Sequence, residues 1–359
     1  MKNDLSRRLL LRLAGLGSLG AGLAAAIPGR PGSGSTPGLH PASHGGHGGH
    51  DMGVVGRVST EDFDPAVFLR SWNFSHLPEP ERSRHYRETP RPDGSLLREY
   101  EIFAVDREIE IAPGVFFPAW TFNGQVPGPT IRATEGDRVR IRFANAGSHP
   151  HSLHFHGWHP PAMDGAFPEQ QVEPGGEFIY EFDAEPFGVH LYHCHASPLK
   201  RHLHKGLYGA FLVDPRTPRP PADELVMVMN AFDTNFDNDN EVYAVNSVAH
   251  FHMMDPIPVE VGRLVRIYLI NVTEFDLLNS FHLHGMFFQV YRTGTSLETT
   301  EVTDTLMLCQ GERAILETTF RYPGRYMFHA HQSEFAELGW MGMFEAQDLP
   351  SIEEPRGAA

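Results

Sequence analysis

The sequence reads GVHLYHCH at residues 188–195 and GRYMFHAH at residues 324–331, so one short pattern occurs twice in the same spacing. Alternate side chains of a β-strand point to the same face. We therefore expect His193 and His195 to share one face and Cys194 to point to the other. Imidazoles suit copper in general, and a thiolate suits a soft copper centre. The first copy could hold one copper through its thiol and contact others through its imidazoles, whereas the second copy keeps only the imidazoles.

The repeat extends beyond this stretch and predicts two related domains. Three further pairs of segments match: 136–141 with 262–267, 154–157 with 282–285, and 206–211 with 339–344. Short runs of β-formers separated by Gly and Pro occur in both copies, and no long helical period appears. We therefore predict an all-β chain with sandwich or barrel domains at about residues 100–215 and 223–348, joined by a proline-rich linker.

The residues before the repeat divide into three segments. Residues 1–26 resemble a twin-arginine export signal, because two arginines precede an apolar stretch and a run of alanines. This signal predicts a periplasmic or extracellular protein. Residues 27–56 are rich in Gly, Pro, Ser and His, and we expect them to be disordered, either as a copper-capturing segment or as a solvated linker. We expect residues 57–99 to form an arm packed on the first domain.

Composition limits the possible functions. The formal net charge is −16 over 359 residues, which argues against nucleic acid as a partner because binding phosphates needs a basic surface. After the N-terminal segment no apolar run is long enough to span a bilayer, so no stable membrane insertion is expected. The cysteines are Cys194 and Cys309. We interpret Cys309 as a small structural residue rather than a reactive thiol.

Four His-x-His pairs recur in the repeat: His154/His156, His193/His195, His282/His284 and His329/His331. On a strand, each pair presents two imidazoles on one face. A lone buried histidine is usually structural, but four symmetrically placed pairs favour a metal, since imidazole is the commonest metal ligand. Eight imidazoles are more than one copper needs, and they suit a cluster of three.

A thiolate copper site needs two further imidazoles and a weak axial group. His151 lies three residues before His154, and strand alternation places it off the face that carries His154 and the histidine two residues later. Downstream of Cys194, both His202 and His204 are candidates for the second imidazole.

From about residue 100 to 346 the chain resembles the two-domain multicopper oxidases, also called small laccases, and more distantly the copper nitrite reductases. The resemblance implies two tandem cupredoxin domains of the Greek-key β-sandwich class. It also implies one type 1, one type 2 and two type 3 coppers per functional site. In this family the cluster forms between neighbouring chains, which implies a homotrimer.

Carried over by position, the resemblance implies type 1 ligands His151, Cys194 and His202, with His204 as the alternative to His202. Leu207 stands at the axial position, where the reductases carry a methionine. The implied type 2 ligands are His154 and His282. The implied type 3 ligands are His156, His193, His195, His284, His329 and His331.

The second domain has Asn279 in place of His151 and Ala330 in place of Cys194, which implies that it has lost a type 1 centre. Two acidic residues are candidates for proton transfer. Asp164 sits where laccases carry an acid near the type 2 copper, and Glu334 follows the last histidine pair. The alternatives are a turn aspartate and a solvated surface glutamate.

The expected function is a laccase-like oxidase that uses a small reducing substrate and dioxygen. A copper nitrite reductase is the first alternative, although the catalytic Asp of those enzymes is replaced here by His154, and the non-ligand after their cysteine is replaced by His195. A non-catalytic periplasmic copper-binding protein is the second. The His-rich segment and four methionines lend it support: Met227, Met229, Met253 and Met254.

Overall fold

The protein, described here by a computed structural model of residues 56–348, is built mainly of short strands. The first half contains β1 (Arg57–Val58), β2 (Tyr86–Pro90), β3 (Leu96–Ala112), β4 (Val115–Phe122), β5 (Gly128–Thr134), β6 (Arg138–Asn145), β7 (His154–Phe155), β8 (Glu177–Asp183), β9 (Gly188–His193) and β10 (Tyr208–Asp214). The second half contains β11 (Asp223–Phe232), β12 (Val242–Val245), β13 (Ile257–Glu260), β14 (Leu264–Asn271), β15 (Leu278–Leu283), β16 (Phe288–Arg292), β17 (Glu301–Thr303), β18 (Thr305–Cys309), β19 (Arg313–Thr319), β20 (Gly324–His329) and β21 (Met341–Gln347).

Short helices connect some of the strands. The α-helices are α1 (Pro65–Arg70), α2 (Glu81–His85), α3 (Leu199–His204), α4 (Phe251–Met254) and α5 (Ser333–Glu337), and 3₁₀ turns lie at Pro161–Met163 and Pro168–Gln170. Among residues 56–348, no helix is long and apolar enough to cross a membrane. The predicted export signal and His-rich segment lie outside the described residues, except for Gly56.

Each half of the chain forms two sheets around its own apolar core. In the first half, β3, β6 and β8 with β1, β2 and β4 form one sheet, and the order β5-β10-β9-β7 forms the other. In the second half the orders are β12-β11-β14-β19-β16-β17 and β13-β21-β20-β15-β18. Alternating apolar residues of both sheets meet in each core. The prediction of an all-β chain with two domains is confirmed.

The sequence repeat reappears as identical strand pairing. In the first domain His154 of β7 lies opposite His193 of β9, and in the second His282 of β15 lies opposite His329 of β20. Directly opposite side chains on neighbouring strands are close. Strand pairing therefore brings the first His-x-His pair of each domain against the second.

The arm reaches further than expected. Leu69 of α1 is buried in the core of the second domain, and Arg70 forms an ion pair with Asp223 there. In addition, β2 and the start of β3 place residues 86–99 in the first sheet rather than in the arm. Residues 86–99 were predicted to belong to the arm because their charged side chains obscure the alternating pattern of a strand. The arm therefore packs on the second domain as well as on the first.

The strand that carries the His-Cys-His sequence is tightly packed against β10. A methyl group at Gly209 would lie 2.5 Å from ring atoms of Tyr192, whose hydroxyl donates to the carbonyl of Pro129 at 2.7 Å. We predict that Gly209→Ala lowers the free energy of unfolding by about 1–3 kcal/mol, the usual cost of overpacking. Urea denaturation measures this loss. The same substitution in a Tyr192→Leu background should cost less, and an equal loss in both backgrounds would contradict this explanation.

Candidate metal centres

Cys194 follows β9 directly and lies between two imidazoles. Its Sγ atom is 3.1 Å from Nδ1 of His202 and 3.9 Å from Nδ1 of His151, and the two Nδ1 atoms are 3.2 Å apart. All three residues are buried. The backbone N–H of Ser152 donates to the thiol at 3.4 Å. One thiol and two imidazoles that converge in a buried site form the donor set of a blue copper centre.

The structure distinguishes between the two candidate histidines downstream of Cys194. Both lie on α3, where residues two apart point to different sides of the helix. His202 faces Cys194, whereas Nε2 of His204 accepts a hydrogen bond from the backbone N–H of Asp233 at 3.2 Å. Only His202 joins the group of potential ligands.

Leu207 lies in the same apolar core as Cys194 and is fully buried. Its carbonyl accepts a hydrogen bond from the backbone N–H of Cys194 at 3.0 Å. An aliphatic side chain offers no donor atom, so Leu207 contributes packing and a backbone contact to the site rather than a ligand.

A set of imidazoles, the first histidine set, lies on the other side of β9. Ligand atoms of His154, His156 and His193 all lie within 4.8 Å of one another, and the Nε2 atoms of His156 and His193 are 3.3 Å apart. His195 belongs to the same set, because its ring is centred 5.2 Å from that of His154. Strand alternation around Cys194 therefore separates the thiol site from the first histidine set, as predicted.

The second domain repeats this arrangement in a second histidine set. Ligand atoms of His282, His284 and His329 lie within 4.8 Å of one another, and Nε2 of His284 is 2.9 Å from Nε2 of His329. The ring of His331 is centred 5.2 Å from that of His282. Within residues 56–348, no ring contact joins one set to the other.

Backbone carbonyls orient four of these imidazoles. The contacts to Nδ1 are His154 to Asp164 O at 2.8 Å, His193 to Cys194 O at 2.9 Å, His282 to Asp304 O at 2.9 Å and His329 to Ala330 O at 2.6 Å. Carbonyl oxygens only accept, so each Nδ1 carries the proton and each Nε2 keeps its lone pair for a metal. The orientation of the rings is therefore set before a metal binds.

Burial keeps four of the candidate ligands in the neutral form that binds metals. It lowers the pKa of His151 to about 3, of His156 to about 2, and of His193 and His202 to about 4. Burial acts in the opposite direction on Cys194 and raises the pKa of its thiol to about 11. A metal that binds Cys194 must therefore displace the thiol proton. The thiol and imidazole donors fit copper.

The predicted acid Asp164 lies beside the first histidine set. Its Oδ1 is 3.2 Å from Nδ1 of His154 and 3.7 Å from Nε2 of His159. Its side chain is partly exposed, so it can exchange protons with solvent. Glu334, the other predicted acid, is exposed in the first turn of α5.

A second carboxylate beside the histidines was missed from the sequence. The carbonyl of Asp304 accepts from His282 in the same way as the carbonyl of Asp164 accepts from His154. The hydroxyl of Thr305 lies 2.8 Å from Nδ1 of His282 and donates to the Asp304 carboxylate at 3.0 Å. Asp304 follows its histidine by 22 residues and Asp164 follows its histidine by 10. Because these two separations differ, the sequence repeat does not show that Asp304 corresponds to Asp164.

The second domain lacks the thiol site at the corresponding position. Asn279 is buried and its Nδ2 donates to Thr273 Oγ1 at 3.0 Å, while Ala330 is fully buried where the first domain has its thiol.

The interpretation of Cys309 as a structural residue was wrong, because its thiol is exposed on the outward face of β18.

Comparison with known proteins agrees with this geometry. Two family models, both described as multicopper oxidase, match residues 106–218 and 216–349. A solved structure called a multicopper oxidase is 53% identical, superposes with a TM-score of 0.74, and is matched over 79% of this chain and 97% of its own. The chain belongs to the multicopper oxidase family.

The relatives of this chain are named for different activities. A copper-containing nitrite reductase of Neisseria gonorrhoeae is 32% identical over 63% of this chain and 62% of its own length. Laccase-8 of Oryza sativa subsp. japonica is 28% identical over 59% of this chain and 43% of its own. The chain thus spans less than two-thirds of the length of these curated relatives. A copper nitrite reductase structure from Nitrosomonas europaea is 26% identical, with a TM-score of 0.65, and is matched over 73% of this chain and 98% of its own.

We predict that Cys194→Ser abolishes the intense blue absorption of the copper-loaded protein, because that absorption requires a copper–thiolate bond. Copper at the histidine sets should stay bound. Absorption spectroscopy with metal analysis measures both quantities. Cys309→Ser is the matched control and should keep the full band. Blue colour in Cys194→Ser, or its loss in Cys309→Ser, would contradict the assignment.

Proposed function

We propose that this chain is a laccase-like oxidase, which couples one-electron oxidation of a small donor to the four-electron reduction of dioxygen to water. The observation that carries the proposal is the sequence His193-Cys194-His195, in which Cys194 belongs to the thiol site and both neighbours belong to the first histidine set. A store or carrier has no need to join these sites through adjacent residues. Bound copper would supply the electron-transfer chemistry, and each dioxygen takes up four electrons and four protons to give two waters.

The proposed ligands follow from these contacts and from the family. His151, Cys194 and His202 would hold a type 1 copper, and Leu207 would pack beside them without supplying a donor atom. His154 and His282 would hold a type 2 copper. The ligands of two type 3 coppers would be His156, His193, His195, His284, His329 and His331.

The chain itself provides a short connection between the thiol and the imidazoles. Cys194 is bonded through the backbone to His193 and His195, and the Nδ1–H of His193 also donates to the carbonyl of Cys194. The connection therefore includes both covalent bonds and a hydrogen bond within one tripeptide. Such a route favours transfer of single electrons from a buried thiol site to a second site.

Carboxylates beside both histidine sets could supply the protons that water formation consumes. Asp164 lies against His154, and Asp304 lies against His282 through Thr305. Both are partly exposed, so each can take protons from solvent and hold them close to the reacting site. Glu334 is a less direct candidate, since it lies on the exposed side of α5.

Nitrite reduction is the alternative that some of the relatives suggest. Two features of the site support dioxygen instead. His154 occupies the position of the reductases' catalytic acid, and it belongs to the first histidine set. His195 follows the cysteine where the reductases have a non-ligand, and its ring packs against that of His154.

The structure gives less support to a non-catalytic copper carrier than the sequence does. Met227 and Met229 are fully buried in the core of the second domain, so their sulfurs are unavailable to a passing copper ion. Met254 is exposed, and Met253 is partly exposed beside it. Two neighbouring methionines on one short helix do not make a store.

Turnover distinguishes the oxidase from the reductase. With a chromogenic phenol as donor, the copper-loaded protein should consume one dioxygen for every four electrons withdrawn and leave nitrite unchanged. An oxygen electrode and a nitrite assay under argon measure the two reactions. His195→Ala should keep the blue band and lose oxygen uptake. Nitrite consumption without oxygen uptake would show that the protein is a nitrite reductase rather than an oxidase.

We further propose that the functional protein is a homotrimer in which each histidine set faces the other set of a neighbouring copy. The second set lies at the surface, where His284 and His331 are exposed, and three rings of the first set are partly exposed. Large exposed apolar side chains occur close in the sequence to both sets: Trp158 follows His156 by two residues, and Phe287 follows His284 by three. Such a surface is typical of an interface. A ring closed by three head-to-tail contacts would cover it and complete three clusters.

Mixing two inactive variants tests the interface. His193→Ala removes a ligand from the first set, and His329→Ala removes one from the second. If clusters form between chains, dissociating and reassembling an equal mixture should restore about one site in four by random assortment. Oxygen uptake measures the recovery, and each variant reassembled alone is the control. A mixture as inactive as the single variants would contradict an intermolecular cluster.

Export by the twin-arginine signal remains part of the proposal. It would place the protein in the periplasm or outside the cell. Residues 1–26 would form the export signal. After its removal, the mature chain would begin with the His-rich segment.

A further inference from the structure

Ser152 is a fully buried residue that contacts both the thiol of Cys194 and the residue after it. It follows His151 and lies two residues before β7. Its backbone N–H donates to the sulfur of Cys194 at 3.4 Å, and its hydroxyl oxygen accepts from the backbone N–H of His195 at 3.1 Å. One serine therefore connects the thiol site with the backbone of the first histidine set.

The hydroxyl of this serine also acts on the sulfur. Burial raises the pKa of the Cys194 thiol, and that rise is opposed by hydrogen bonds from the N–H of Ala196 and from both the N–H and the hydroxyl of Ser152. A hydrogen bond to the charged form of an acid favours that form. Because a hydroxyl can donate one hydrogen bond while it accepts another, Ser152 can donate to the sulfur and hold the backbone of His195 at the same time.

The second domain has the same serine without the sulfur. Ser280 corresponds to Ser152 in the sequence repeat, and its hydroxyl oxygen accepts from the backbone N–H of His331 at 2.8 Å. The contact with the histidine backbone is therefore common to both domains. The domains differ in the acceptors for the two hydrogens that the serine itself donates.

Amide oxygens take the place of the sulfur in the second domain. The backbone N–H of Ser280 donates to Asn279 Oδ1 at 2.8 Å, and its hydroxyl donates to Gln332 Oε1. The first domain has a histidine and an alanine at these two positions, and neither side chain contains an oxygen. Buried donors need acceptors, so the two amides replace an acceptor that the second domain has lost. This exchange indicates that both donors of Ser152 serve the sulfur.

We propose that Ser152 is a positioning residue, which directs its backbone N–H and its hydroxyl at the sulfur of Cys194 while it holds the backbone of His195. This inference rests on the proposed function, because it takes Cys194 and His195 as copper ligands. Ser152 is not itself a ligand in this proposal. It acts through the sulfur, since hydrogen bonds around the thiolate tune the reduction potential of a blue copper.

The test compares Ser152→Ala with Ser280→Ala, the matched control from the second domain. Each variant removes a hydroxyl that accepts from a histidine backbone, but only Ser152 lies against a sulfur. In the copper-loaded protein, Ser152→Ala should shift the reduction potential of the blue copper to a lower value, because a hydrogen-bond donor stabilises the greater negative charge of the reduced site. The blue absorption band should shift as well. Redox titration followed by absorption measures both quantities.

Two further variants make the comparison specific. Ser280→Ala should keep the native potential and the native blue band, because its hydroxyl donates to an amide oxygen rather than to sulfur. Ser152→Thr keeps the hydroxyl and should return both values toward those of the native protein.

A second measurement does not depend on copper. In metal-free protein labelled with ¹⁵N, the backbone N–H of His195 should exchange with solvent about 2- to 10-fold faster in Ser152→Ala than in the native protein, the usual net effect of one hydrogen bond. The N–H of His331 should keep its native rate in that variant and should exchange faster in Ser280→Ala. If Ser152→Ala does not fold, Ser152→Gly removes the same hydroxyl. An unprotected His195 N–H in the native protein would itself overturn the proposed contact.

The outcomes separate this inference from the proposed function. A native potential in Ser152→Ala would overturn the role at the sulfur, and a native exchange rate of His195 would overturn the hold on its backbone; neither result affects the oxidase proposal. Equal shifts of the potential in Ser152→Ala and Ser280→Ala would also overturn the inference, because the effect would then come from a general loosening of the fold. If the native protein binds no blue copper, the proposed function fails, and the exchange of the His195 N–H still tests the contact with Ser152.

Discussion

The arrangement of the candidate site depends on the two-residue period of a single β-strand. Consecutive side chains of a strand point to opposite faces, so His193, Cys194 and His195 must serve two sites rather than one. The thiol turns into the core of the first domain, where His151 and His202 meet it. The imidazoles turn outward, where they meet the first histidine set. A shift of one residue in register would exchange the two faces and destroy both sites.

Burial has different consequences on these two faces. On the inner face it keeps imidazoles neutral and holds the pKa of the thiol high, so the site is ready for a metal but binds it only with loss of a proton. On the outer face it also keeps His156 and His193 neutral, and backbone carbonyls orient the rings of His154 and His193. The thiol and the two imidazoles of the inner site lie together within one chain, whereas the two outer histidine sets are separate groups within it.

Much of this was predictable because the repeat preserves strand register. The matching spacing of the two copies predicted equivalent His-x-His pairs in both domains, and the structure pairs His154 with His193 and His282 with His329. Other parts were not predictable for physical reasons. The choice of His202 depends on a short helix rather than a strand. Asp304 lies between two strands, whereas Asp164 follows a 3₁₀ turn, so the two aspartates occupy unlike connections.

We propose that two separate histidine sets hold one copper cluster between copies of the chain. The most direct measurement is anomalous X-ray scattering at the copper edge from crystals of the copper-loaded protein. We expect four coppers per chain, one between His151, Cys194 and His202 and three grouped between the first histidine set of one copy and the second set of another. Two coppers per chain, or three coppers held within a single chain, would contradict it.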